Sequence, residues 1–113
     1  MIKIYHNPRC SKSRQGLQIL EESKVVFETI KYLENPPTIV ELTEIIKLLS
    51  ISPIQLVRKG EAIWKENFKG KTLSNEQIIE AMVQNPKLIE RPIVIRGNKA
   101  VIGRPPSIIK TLL

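Results

Sequence analysis

The sequence predicts an α/β fold, and three observations predict it. A β-branched strand, a helical pattern and a second strand succeed one another within the first thirty residues. The last third carries two short apolar strands around a Gly-Asn turn, and the stretch between repeats apolar residues at helical spacing. A strand, helix and strand of that length form a βαβ unit with parallel strands, whereas a tight hairpin is antiparallel. No repeat, low-complexity tract or linker interrupts the chain, so one compact domain over residues 1–113 is expected.

Met1 to Tyr5, with Ile2 and Ile4, reads as a short buried strand. Asn7-Pro8 breaks it, and a helix is expected to about Lys24, with Leu17 and Leu20 on one face. Gly16 inside that helix costs about 1 kcal/mol against alanine, which points to close packing at that position. Val25 to Ile30 is the second strand. Asn35-Pro36-Pro37 breaks the chain again. Thr38 with Glu41 makes a capping box for a helix whose Ile39, Leu42, Ile45, Ile46 and Leu49 share a core face. Ser52-Pro53 opens a further short helix expected to stop at Gly60, and residues 61–73 show no clear period and are expected to be irregular. Ser74 with Gln77 caps another helix, carrying Ile78, Ile79, Met82 and Val83, which ends at Asn85-Pro86. Ile93-Val94-Ile95 and Ala100-Val101-Ile102 flank the hairpin turn, and a closing helix follows Gly103-Arg104-Pro105-Pro106.

The chemistry concentrates between Tyr5 and Arg14, which hold the only cysteine and the only histidine. Cys10 falls where the helix begins. Unpaired N–H groups and the positive end of the helix dipole stabilise an anion there, and Arg9, Lys12 and Arg14 are expected to push the same way. A thiol so placed is a nucleophile; a buried structural cysteine is the alternative. Cys10-x-x-Ser13 is the dithiol oxidoreductase spacing with a hydroxyl in place of the second sulfur. Ser13 can donate a hydrogen bond to a thiolate but cannot form a disulfide with it, so a second sulfur has to come from another molecule.

Composition narrows the partners. The net charge of +7 raises nucleic acid as a possibility, but the lysines are scattered among eleven acids and aromatic residues are too few to stack bases. A solvated surface accounts for most of the charge, and a small oxyanion could account for the arginines. A lone cysteine fits a reducing compartment, and neither a leader peptide nor an apolar run near 18 residues is apparent; a cytoplasmic monomer away from membranes is expected. One cysteine and one histidine cannot build a tetrahedral metal site, so no bound metal or cofactor is expected. Arg58, Arg91 and Arg104 each stand at an element boundary, where a planar guanidinium fork could meet a tetrahedral oxyanion; solvated surface arginines are the alternative.

Taken together, Tyr5-His6-Asn7-Pro8-x-Cys10-x-x-Ser13-Arg14, Val57-Arg58-Lys59-Gly60, Glu90-Arg91-Pro92-Ile93-Val94 and Gly103-Arg104-Pro105 resemble the glutaredoxin-dependent arsenate reductases. The resemblance runs end to end, with the four motifs in order. It implies a thioredoxin-like fold, a four-stranded mixed sheet flanked by helices with an inserted helical segment, and a cis peptide at Arg91-Pro92. It makes Cys10 the nucleophile, with His6 and Ser13 beside it, and makes Arg58, Arg91 and Arg104 the ligands of arsenate. It implies glutathione as co-substrate and glutaredoxin as protein partner, in arsenic detoxification. For His6 a satisfied structural histidine stays open, and for Arg14 a place on the helix surface. Arg9, Ser11 and Lys12 depart from the small or neutral residues usual in that family. A phosphatase-like reductase would need an arginine six places after the cysteine, where Gly16 stands. Two other relatives keep the fold: a Spx-type regulator that binds RNA polymerase, which typically carries a Cys-x-x-Cys, and a glutathione-dependent thiol-transfer protein without arsenate chemistry.

Overall fold

The computed structural model describes residues 1–113. The chain falls into two compact units, one made of residues 1–35 and 91–113, the other of residues 36–90.

The first unit is built on a four-stranded sheet: β1 (Ile2–Tyr5), β2 (Phe27–Ile30), β3 (Ile93–Arg96) and β4 (Lys99–Ile102), in spatial order β2-β1-β3-β4. β1 and β2 are parallel, and the other two pairings are antiparallel. The βαβ unit and the hairpin around Gly97, which takes a positive φ of 61°, therefore join side by side on β1. α1 (Ser11–Glu22) connects the parallel strands. Its end two residues short of Lys24 has a local cause, since Lys24 turns left-handed at φ 61° and Ser23 closes the helix on the Ile19 and Glu21 carbonyls. β2 likewise starts at Phe27 rather than Val25, because Phe27 pairs with Ile2, where β1 itself begins. Val26, before that pairing, is 75% exposed.

Strand alternation places Ile2, Ile4 and Val94 on one sheet face, where Ile4 and Val94 are direct cross-strand partners. Leu20 of α1 and Ile109 and Leu112 of the closing 3₁₀ helix (Pro106–Leu112) complete that buried cluster. Each such side chain taken from water stabilises the unit by about 1.5–3 kcal/mol. Arg96 fixes the closing helix further by donating from Nη1 to the Leu112 carbonyl at 2.7 Å.

The second unit is the inserted helical segment. α2 (Ile39–Leu49) and α4 (Asn75–Gln84) both start in complete capping boxes: Thr38 and Glu41 exchange bonds of 3.1 and 3.0 Å, and Ser74 and Gln77 bonds of 3.2 and 2.8 Å. Leu42, Ile45, Ile46, Ile78, Ile79 and Met82 are buried, but Ile39 at the start of α2 is half exposed and does not belong to the core face. Two further expectations fail here. The helix after Ser52 is a single 3₁₀ turn, Pro53–Leu56, and does not reach Gly60; Val57 bridges Ile89, and the Arg58 N–H is taken by the Leu88 carbonyl at 2.7 Å. Residues 61–73 contain a six-residue helix, α3 (Ala62–Asn67), organised by Trp64 stacked on Phe68 with ring centroids 5.3 Å apart. No helix is long and apolar enough to cross a membrane.

Candidate active site

Parallel strands end where α1 begins, the place at which open α/β sheets bind ligands. Beyond β1, His6 extends the ladder by donating its N–H to the Ile30 carbonyl at 2.8 Å. The chain then makes a tight turn: the Cys10 N–H donates to the Asn7 carbonyl at 3.0 Å, and the Asn7 side chain accepts from the Arg9 N–H at 3.0 Å. Arg14, one helical turn on, steadies the same loop by donating to the Pro8 carbonyl at 3.0 Å. Cys10 is the N-cap residue of α1, with extended φ and ψ, and its carbonyl accepts the first helical bond from Arg14 at 2.9 Å.

The sulfur is buried and free. Burial pushes its pKa up, but the N–H groups of Ser13 and Lys12 and the Arg91 guanidinium outweigh burial and bring it below the ordinary thiol value. Cys10 forms no complete capping hydrogen bond, so the helix start acts through aligned N–H dipoles. Arg104, from the far end of the chain, reaches the sulfur at 3.6 Å through Nη2 while its Nε donates to the Arg91 carbonyl at 2.8 Å. The cations that serve the thiol are thus supplied across the sheet. Arg9 and Lys12 sit next to Cys10 in sequence but are exposed, where water and salt screen a side-chain charge.

Ser13 is fully buried and its hydroxyl is committed elsewhere. The oxygen accepts from the Asn7 N–H at 2.9 Å and lies 2.7 Å from Nδ1 of His6. The hydroxyl bond to the thiolate allowed by the spacing is therefore absent, and it is the amide of Ser13 that favours the anion. Burial holds His6 below the usual histidine value, Lys31 lowers it further, and hydrogen bonding at Ser13 opposes both. The imidazole is neutral at neutral pH, and Ser13 can donate to its Nδ1. His6 is satisfied within the fold and reaches the cysteine loop through Ser13.

Arg91-Pro92 is cis, and so is Arg104-Pro105, which the sequence had not suggested. The two segments are tied by the Gly103 N–H donating to the Pro92 carbonyl at 2.8 Å. Two glycines make room for the Pro92 ring. A Cβ on Gly16 would lie 2.9 Å from Ile109 Cδ1 and 3.0 Å from Pro92 Cγ, and one on Gly103 would lie 2.8 Å from Pro92 Cγ and 2.9 Å from Ile109 Cδ1. Replacing Gly103 by alanine is expected to destabilise the protein by about 1–3 kcal/mol, read from its denaturation midpoint, because a packed proline ring has to move. The same shift displaces Arg91, so alkylation of Cys10 at neutral pH should slow as well.

Among the expected residues, Cys10, His6, Ser13, Arg91 and Arg104 meet in the first unit. Arg58 belongs to the second, where it pairs with Glu61 at 3.7 Å and Glu90 at 3.6 Å. No group of three or more His, Cys, Asp or Glu side chains is placed to hold a metal. Lys31 was missed by sequence reasoning. It lines a cavity of about 300 Å³ with His6, Asn7, Pro8, Arg9, Leu33 and Glu34. Its position immediately after β2, matching that of His6 after β1, was the available signal.

With this geometry in place, comparison with known proteins decides the family. Residues 5–112 match the ArsC family. The chain belongs to the ArsC family. An arsenate reductase of Neisseria meningitidis is 40% identical over 99% of this chain and 97% of its own. YfgD of Escherichia coli, named as an uncharacterized protein, is 50% identical over 94% of this chain and 91% of its own. Among solved structures, an arsenate reductase from Vibrio cholerae superposes with a TM-score of 0.94 at 40% identity, covering 99% of this chain and 97% of that one. The ArsC fold is thioredoxin-like, as the four-stranded mixed sheet and flanking helices are here.

Proposed function

We propose that this ArsC protein is an arsenate reductase in which Cys10 is the nucleophile and glutathione and glutaredoxin complete the reduction. The observation that carries the reading is the thiol of lowered pKa with Arg91 acting on it and the Arg104 guanidinium 3.6 Å away. The Cys10 thiolate attacks arsenic, an S–As bond forms, and one arsenate oxygen leaves as water after taking up protons. Arg91 and Arg104 neutralise oxygen charge that would otherwise repel an anionic nucleophile. A glutathione thiol then attacks the Cys10 sulfur. The S–As bond breaks with its electron pair on arsenic, giving arsenite and a Cys10–glutathione disulfide. Glutaredoxin removes the glutathione by a second exchange and restores the thiol.

Purified protein supplied with arsenate, glutathione, glutaredoxin and its reducing system should release arsenite. Glutathione exchange at Cys10 without arsenite would replace this reading with that of a thiol-transfer protein.

A further inference from the structure

The cavity beside the cysteine loop has no part in the arsenate chemistry above. Asn7, Pro8 and Arg9 form both its wall and the turn that carries Cys10, whose ends lie within about 7 Å of each other. Its volume of about 300 Å³ is at the low end for a small-molecule site. Three charged residues line it: Arg9 and Lys31, which are cationic, and Glu34, which is anionic. His6 adds a neutral ring, held at Nδ1 by Ser13, to the cavity wall, and Leu33 adds an apolar contact.

The chain has one cysteine, so the sulfur that completes any reduction at Cys10 has to be brought in. We propose that this cavity is the docking site of that thiol, and that it selects a small peptide thiol bearing two carboxylates and one ammonium group. Arg9 and Lys31 receive the carboxylates, Glu34 receives the ammonium, and the backbone between them lies along Leu33 and His6. This rests on Cys10 being the reactive sulfur; it does not require arsenate.

The test isolates the exchange step. Cys10 thiolate attacks a disulfide, a new S–S bond forms as the old one breaks, and the departing thiolate carries away the electron pair. Adduct formation at Cys10 is followed by mass spectrometry with glutathione disulfide and with neutral hydroxyethyl disulfide, and the ratio of the two rate constants is taken. That ratio cancels any change in thiol reactivity. The wild-type protein should prefer glutathione disulfide at low salt, and Lys31→Glu or Arg9→Glu should each lower the ratio about threefold to fivefold, as expected when an exposed, screened attraction becomes a repulsion. Lys110→Glu, in the closing helix, should leave it unchanged. The proposal is overturned if glutathione disulfide gives no adduct, if neither cavity variant lowers the ratio, or if Lys110→Glu lowers it equally. Selectivity retained by a protein that makes no arsenite would remove the arsenate reading and keep the site.

Discussion

Cys10→Ser should abolish arsenite formation, by about a thousandfold or more, while leaving the fold intact. A serine hydroxyl remains protonated at neutral pH, so the electrostatic arrangement that serves a thiolate has no anion to act on. Oxygen is smaller than sulfur and the site is a helix N-cap, where serine is favoured, so thermal stability should hold or rise slightly. Arsenite yield measured alongside the melting temperature separates loss of chemistry from loss of structure. Activity persisting in a folded Cys10→Ser protein would exclude the cysteine as nucleophile.

Arg91→Ala should cost about a hundredfold or more in activity, because two effects fall on one side chain. Removing a donor that stabilises developing oxyanion charge is worth about 10²–10³ in rate. The same guanidinium lowers the Cys10 pKa, so its loss raises that pKa and reduces the thiolate fraction at any given pH. The sign follows directly: activity of Arg91→Ala should climb as the pH is raised beyond the point where the wild type has levelled off. The oxyanion deficit should remain at every pH. Recovery of full activity at alkaline pH would assign Arg91 to the thiol alone and deny it contact with arsenate.

Much of this architecture could be read locally. The two capping boxes, the Gly97 hairpin and the cysteine at the start of α1 are each encoded within a few consecutive residues, and all appear where residue types and spacing put them. What escaped depends on tertiary context. α3 lacks a side-chain N-cap bond and an apolar stripe; Trp64 and Phe68, four residues apart, were its only signature. Val57 left the expected helix because a strand-like partner 32 positions later, Ile89, claims its backbone. The site shows the same division. A thiol at a helix start was legible, but the cations that act on it, Arg91 and Arg104, come from 81 and 94 positions away in sequence, which adjacency along the chain does not reveal. Ser13 was assigned to the right neighbourhood through the wrong atom: sequence spacing does not reveal that the histidine just after β1 lies 2.7 Å from its hydroxyl.

The central claim is that the fold lowers the pKa of Cys10 below that of an ordinary thiol, with Arg91 contributing to the shift, and the ultraviolet absorbance of the thiolate, titrated against pH in the wild-type protein and in Arg91→Ala, tests it most directly. The account predicts a wild-type midpoint below that of an ordinary thiol and an upward shift in the variant. A wild-type midpoint at or above the ordinary value, unmoved by the loss of Arg91, would contradict it.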